Sequence, residues 1–218
     1  MASTYTLILG NKNYSSWSLR GWLALKQTGA RFEEVLVPLS QPGTREAILR
    51  HSPSGRVPAL RDGELVIWDS LAIGEYLAEK HPAAGLWPAE APLRAIARSV
   101  AAEMHSGFAA LRTALPFNAR RTPSPLARTP EVEADVARIV EVWNDCRARY
   151  GAGGPFLFGK PTLADVMYAP VVGRFHVYGV PLAGAAAQYA DAVLALPAMK
   201  EWFAAARVEP YTEAKYER

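Results

Sequence analysis

A mixed α/β domain followed by an all-helical domain is the fold class that this sequence predicts, on three observations. First, residues 5–80 alternate strand and helix patterns: apolar alternation at Tyr5–Leu9, an amphipathic period at Leu19–Lys26, and alternation again at Glu34–Leu39. Second, a stretch of Pro, Ala and Gly interrupts that order at Pro82–Pro92. Third, the apolar series beyond it recur at three and four residues: Leu93, Ile96, Val100, Met104, Phe108 and Leu111, then Val132, Val136, Ile139 and Trp143. The boundaries that follow are a first domain at 1–81, a linker at 82–92 and a helical domain at 93–218. A chain of 218 residues, 50% hydrophobic and 21% charged, can bury a proper core as one large or two small domains.

The strands at Tyr5–Leu9 and Glu34–Leu39, joined through a helix, make a βαβ unit, so they should run parallel with a right-handed crossover. Gly29 stands where a C-cap glycine ends that helix. Residues 40–55 are polar and rich in Pro, Ser and Gly, with a short helical piece around Arg45–Arg50. Pro58 cannot donate to a sheet ladder, so it belongs at the first residue of the strand Ala59–Arg61 or on an edge; a cis Val57–Pro58 bond would allow this. Asp62-Gly63 is a hairpin signal between that strand and Leu65–Trp68. Asp69 or Ser70 then caps a helix running to about Lys80, ended before His81-Pro82. The order βαβ, short helix, ββα is that of a thioredoxin-like domain. In the helical half, Gly151-Ala152-Gly153-Gly154-Pro155 is a terminator and not a phosphate loop, because no strand precedes it and no Lys-Ser/Thr follows. Pro161-Thr162-Leu163-Ala164-Asp165 opens the next helix with a capping-box pattern, and Pro197 begins the last one.

Asn13-Tyr14-Ser15-Ser16-Trp17-Ser18-Leu19-Arg20 joins the first strand to the first helix. It brings two hydroxyls to a helix start, where free N–H groups and the helix dipole favour an anion. A serine there can also be no more than a cap. Other chemistries find little support. His51, His81, His105 and His176 are scattered with no second ligand at metal spacing, and no nucleophile elbow, dinucleotide or Walker pattern occurs. Cys146 is the only cysteine, and its place on the stripe of Val132, Val136, Ile139, Val140 and Trp143 marks a core residue rather than a nucleophile. A net charge of +3 demands neither nucleic acid nor an anionic membrane. Arg112, Arg120, Arg121 and Arg128 thicken the charge around a Pro-rich turn without interleaved aromatics, which a solvated loop explains. The polar start, with no signal-peptide pattern and no apolar run near the ~18 residues of a membrane span, makes the cytoplasm the expected location.

Four segments together resemble the soluble glutathione transferases. Ser15-Ser16-Trp17-Ser18-Leu19-Arg20 is similar to the Ser-Ser-Cys-Ser-x-Arg signature of the zeta class. Ser52-Pro53-Ser54-Gly55-Arg56-Val57-Pro58-Ala59-Leu60 resembles the family's cis-proline segment, Asp69-Ser70 its acidic-then-serine pair, and Thr162 to Asp165 its buried helix cap. The resemblance covers essentially the whole chain and implies a homodimeric transferase that uses glutathione as cosubstrate and no metal. It implies that Arg56, Val57 and Pro58 bind glutathione, with the Val57 backbone on the cysteinyl residue. Ser70 would take the γ-glutamyl carboxylate and Asp69 the ammonium. Arg20 sets a register in which Ser15 is the thiolate donor at the tip of the turn and Ser16 lies nearer the helix cap; a theta-like alignment shifts the role to Ser16. The electrophile is expected between the domains near Met104, His105, Phe108 and Arg112. Arg174, before Phe175, is similar to an arginine that zeta members use for an acidic substrate.

Two departures bear on the reaction. Trp17 replaces the zeta cysteine, and Arg56 stands where zeta members usually have glutamine. Transfer of glutathione to an electrophile is therefore the main expectation, and cis–trans isomerisation of the maleylacetoacetate type the alternative. A non-catalytic ligand-binding or dimerising module of the same fold is the alternative from another class. Reduction through a cysteine, as in the omega and beta classes, lacks its residue at 15–20. The apolar surplus in residues 60–110 would be covered by the second copy of a homodimer.

Overall fold

The computed structural model describes residues 5–217; the polar start read at Met1–Thr4 lies outside them. Strand β1 (Tyr5–Leu9) is buried at every position, as a central strand with both faces covered must be. It pairs in parallel with β2 (Phe32–Leu36) and antiparallel with β3 (Ala59–Asp62), which pairs antiparallel with β4 (Leu65–Trp68). The strand order is β2-β1-β3-β4. Helix α1 (Ser16–Thr28) is the crossover between β1 and β2, and Gly29 ends it at φ 71°. Short α2 (Thr44–Leu49) follows β2, and α3 (Ser70–Lys80) follows β4 and packs beside α1.

Two details differ from the sequence reading. β2 lies at 32–36 rather than 34–39. Pro38 has no N–H to carry the ladder on, and Val37 makes the last bond, to Leu9 O at 2.8 Å. The hairpin loop is Gly63-Glu64 rather than Asp62-Gly63, because Asp62 pairs with Leu65. Gly63 has φ 59° while Glu64 is not at positive φ, the pattern of a type II′ turn with glycine at its first position.

After a 3₁₀ turn at Pro82–Ala84 come α4 (Ala91–Ser106), α5 (Ala109–Ala114), α6 (Pro130–Tyr150), α7 (Leu163–Val177), α8 (Gly184–Ala195) and α9 (Pro197–Val208). The apolar period over 93–111 reads as one helix, but the structure breaks it after Ser106, and Phe108 turns to φ 63° before α5 begins. Phe108 and Leu111 still reach the core, so the spacing survives the break; Ile96 does not and is exposed.

α7 is the element that joins the halves. It is buried at nearly every position and packs on α1, α4 and α8. Its start is held by the expected capping box of Thr162 and Asp165. Asp165 also accepts from Leu157 N at 3.1 Å, and burial pushes its carboxyl up to about 6. The main apolar core runs from β1 and α1 through α7 to α6 and α8, and a smaller cluster of Ile8, Val37, Ile48 and Ala59 is separate from it. Side chains in it such as Leu19, Leu163 and Val166 contribute roughly 1.5–3 kcal/mol apiece. The two halves are thus fixed against each other, and α7 carries Arg174 to the serine turn. Cys146 is 2% exposed in this core, with its thiol pushed up to about 12 by burial. Among the described residues no helix is long and apolar enough to cross a membrane.

Candidate active site

After β1 the chain turns through Asn11–Tyr14, and Asn11 O accepts from both Tyr14 N and Ser15 N. Ser15 is the N-cap of α1. Its Oγ accepts from Ser18 N at 3.2 Å and donates to Ser18 Oγ at 2.8 Å, which in turn accepts from Gly10 N at 2.9 Å. Ser16 is the first residue of the helix, and its Oγ accepts from Arg174 Nη2 at 3.2 Å. The expected division of labour is therefore corrected: Ser15 is at once the turn's tip and the cap, whereas Ser16 faces the helical domain. The reason is geometric, since the cap oxygen must come from the residue before the first helical one.

Two adjoining cavities share Trp17, Arg56 and Val57 as walls. One, of about 700 Å³, holds Ser15, Ser40 and Gln41; the other, of about 590 Å³, holds Pro58, Asp69, Ser70 and His105. Together they form a groove from the serine turn to the start of α3. The Val57–Pro58 peptide is cis. Helix α1 passes so close that a Cβ on Gly21 would lie 3.1 Å from the Pro58 ring, so glycine is what lets the helix sit on this loop. Asp69, at φ 77°, caps α3 by accepting from Leu71 N at 2.8 Å and Ala72 N at 3.3 Å. The neighbouring Ser70 is 1% exposed, and its Oγ has no hydrogen-bond partner among the described residues. A buried hydroxyl left open at a helix N-terminus suits a carboxylate.

Trp17 forms the wall between this groove and a group of cations. The Arg20 and Arg112 guanidinium carbons lie 4.5 and 4.9 Å from its ring centroid, and the His105 ring meets it edge-on at 5.3 Å. Arg20, 1% exposed, donates from Nε to Met167 O at 3.1 Å, while its Nη1 and Nη2 are buried without partners among the described residues. Arg174, 4% exposed, donates to Leu115 O at 2.8 Å as well as to Ser16. No ion pair to a carboxylate is made by Arg20, Arg112 or Arg174 among the described residues. Burial, then the charges of Arg112 and Arg174, hold Arg20 well below its ordinary value. Burial, then Arg112, bring Arg174 down to about 9, which still leaves it cationic at neutral pH.

The remaining expected electrophile residues separate. His105 lines the groove and bonds from Nε2 to both Asp69 oxygens, at 3.0 and 2.8 Å. Arg112 spends its donors on the carbonyls ending α4: Gly107 at 2.9 Å, His105 at 3.3 Å, and Met104. Met104 is 0% exposed, on the helix α4 that packs against α7, and Phe108, in the turn after α4, is buried; both lie in the core and line neither cavity. The solvated loop read around Arg120 is corrected too, since Arg120 donates to Tyr14 Oη at 2.8 Å and Thr212 Oγ1 at 2.9 Å. Sequence reasoning passed over Ser18, Ser40 and the wall role of Trp17; Ser18, one helical turn after a capping serine, was the only one with a local signal. No group of His, Cys, Asp and Glu among the described residues could hold a metal ion.

A thioredoxin-like domain thus carries a serine hydroxyl, a cis-proline loop and the unpartnered Ser70 hydroxyl along one groove, backed by a helical domain. Residues 14–80 match the family model for the glutathione S-transferase N-terminal domain, and residues 127–205 the model for the C-terminal domain. The chain belongs to the glutathione S-transferase family. It is 33% identical over 171 residues to a zeta-class glutathione S-transferase of Euphorbia esula, covering 75% of each protein. It is 32% identical over 185 residues to a maleylpyruvate isomerase of Ralstonia, covering 74% of this chain and 80% of that one. Two solved structures share the fold. A zeta-class bacterial maleylpyruvate isomerase in holo form aligns at TM-score 0.72 and 24% identity over 95% of this chain and all of that one. A Burkholderia glutathione transferase homologue with bound glutathione aligns at TM-score 0.69 and 23% identity, over 94% and 98%.

Proposed function

We propose that this transferase lays glutathione along the groove, ionises its thiol at Ser15, and directs the thiolate at an electrophile that carries a carboxylate. The observation that carries the last point is the cluster of Arg20, Arg112 and Arg174 around Trp17 and Ser16, buried or half-buried, with Asp69 and Asp135 acting on Arg20 and Arg112 only from beyond ion-pair distance among the described residues. A buried guanidinium with two open nitrogens is costly unless an anion meets it. The γ-glutamyl end would meet Asp69 and the open Ser70 hydroxyl, and the backbone of Val57, a residue that lines both cavities, would pair with the cysteinyl residue. A free thiol has a pKa near 8.5, and lowering it by about two units needs roughly 2.7 kcal/mol of preference for the anion. A hydrogen bond to a charged group contributes about 1.5–3 kcal/mol, and the start of α1 about 0.3–1 more. Serine and helix start are sufficient.

The test is a pair of matched aryl halides, one with a carboxylate and one with its methyl ester. The acid should react with roughly ten- to a hundredfold higher kcat/KM, the value of about 1.5–3 kcal/mol for a charged hydrogen bond, and Arg174→Met should erase the preference. Equal rates for acid and ester would refute the reading. Glutathione-dependent isomerisation of a maleyl-type acid is the second reading, supported by the isomerase relatives. It needs the same thiolate and an anionic substrate: sulfur adds to the double bond, the new single bond rotates, and the thiolate leaves. A homodimer is also proposed, since Leu65 and Trp68 on β4 and Ile96 on α4 are exposed apolar side chains.

A further inference from the structure

The loop Asn11–Tyr14 leads directly into Ser15, yet its own domain holds it lightly: through Asn11, whose O accepts from Tyr14 N and Ser15 N and whose Oδ1 accepts from Leu39 N, through Tyr14 O, which accepts from Ser16 N at 3.2 Å, and through the Lys12–Glu34 ion pair. The bonds that otherwise fix Lys12, Asn13 and Tyr14 come from the helical domain and from the segment after α9. Glu209 accepts from Lys12 N at 2.7 Å and Asn13 N at 2.9 Å, one N–H to each carboxylate oxygen. Trp202 Nε1 donates to Lys12 O at 2.9 Å, and Arg120 N to Asn13 Oδ1 at 2.8 Å. The Tyr14 hydroxyl donates to Glu217 and accepts from Arg120 Nη2 at 2.8 Å and Glu213 N at 3.1 Å. The same segment reaches the facing wall of the thiol-end cavity, where Ser40 Oγ donates to Glu213 at 2.7 Å. Ser40 sits at φ 56°, an uncommon angle for a residue with a side chain.

We propose that Glu209–Glu217 is a clasp that positions the Ser15 hydroxyl, with Glu209 as its principal positioning residue. The proposal rests on the reading of Ser15 as the thiolate donor. Two charge-assisted bonds from one carboxylate to consecutive backbone N–H groups are roughly twice as strong as neutral ones and set both position and angle. The loop they fix ends one residue before the hydroxyl. A donor displaced by about 1 Å can cost up to a hundredfold in rate. The clasp also ties together the two walls of the cavity, Ser15 through the neighbouring Tyr14 on one side and Ser40 on the other, so it sets the width of the thiol end.

The experiment is a pH titration of bound glutathione by thiolate absorbance, with turnover and melting curves, for the full chain and three variants. Glu209→Gln can accept only one of the two N–H groups and turns its own NH₂ toward the other. It should raise the apparent pKa of the bound thiol by about one unit, from about 6.5 to about 7.5, and so lower turnover at pH 7 roughly threefold, leaving KM for the electrophile unchanged. Tyr14→Phe, which removes one hydroxyl from the clasp and keeps the ring, should move the thiol in the same direction by less. Its result decides the matter if Glu209→Gln does not fold. Val193→Ala, a core truncation in α8, should lower the melting temperature without moving the thiol. Variants that lose stability while the thiol pKa stays at the wild-type value would show the clasp to be scaffold only and overturn the proposal. A wild type that binds glutathione with no thiolate near neutral pH would instead overturn the Ser15 reading, and the clasp's role with it.

Discussion

Ser15→Ala is the substitution that most sharply divides the two uses of a serine at a helix start. In the structure the Ser15 oxygen accepts from Ser18 N while its proton goes to Ser18 Oγ. The cap uses a lone pair, so the proton is free to turn to a sulfur. Ser18 Oγ, already accepting from Gly10 N, can then turn its own proton onto Ser15 and make it a better donor. Alanine removes both uses at once. Loss of the bond to the thiolate should cost about 1.5–3 kcal/mol, or roughly ten- to a hundredfold in rate if the thiolate attacks. Loss of the cap should cost about 1 kcal/mol of stability, a fall of about 2–4 °C in melting temperature for a chain of this size. Ser16→Ala removes only an acceptor for Arg174, which keeps its bond to Leu115 O, so with a neutral electrophile its rate should hold. Both variants should bind glutathione within a few-fold of wild type, because Val57, Asp69 and Ser70 are untouched. Steady-state rates with a generic aryl halide and melting curves for both variants are the assay. Rate lost in Ser16→Ala and kept in Ser15→Ala would refute the reasoning; rate kept in both would place the donor elsewhere.

Other outcomes follow from the same structure. Ser70→Ala should raise KM for glutathione by about tenfold or more and barely alter turnover at saturation, since the open hydroxyl meets the γ-glutamyl end and not the sulfur; an unchanged KM would remove Ser70 from the site. Cys146, with its thiol pushed up to about 12, stays protonated at all pH values below that and should resist alkylation in the folded protein at pH 8, reacting only on denaturation; rapid native labelling would contradict its burial. Sedimentation at micromolar concentration should give a homodimer, and Trp68→Glu should shift it toward monomer; a wild-type monomer would leave Leu65, Trp68 and Ile96 without a cover.

Much of the first domain could be read because its signals are local. Pro58 before a strand, Gly29 after a helix and Asp69 before one each state a backbone requirement within a few residues. The resemblance supplied what those signals cannot, namely that the Ser15, Val57 and Asp69–Ser70 segments meet along one groove. What stayed hidden depends on distant partners. Nothing near Glu209 in the sequence says that it will grip Lys12 and Asn13, 197 and 196 residues away. Arg120 read as a loop cation, and nothing beside Tyr14 announced its partners Glu217 and Glu213 in the tail. The break at Gly107–Phe108 escaped notice because the apolar spacing runs straight across it. Ser15 and Ser16 could not be told apart by composition, since the choice turns on which of them begins the helix.

The most direct measurement is a titration of the wild-type protein with glutathione, following thiolate absorbance from pH 5 to 9. Saturable binding should come with a thiolate band already developed at pH 7, and an apparent pKa about two units below the 8.5 of a free thiol. Binding with the thiol still titrating near 8.5, or no binding at millimolar glutathione, would contradict the account.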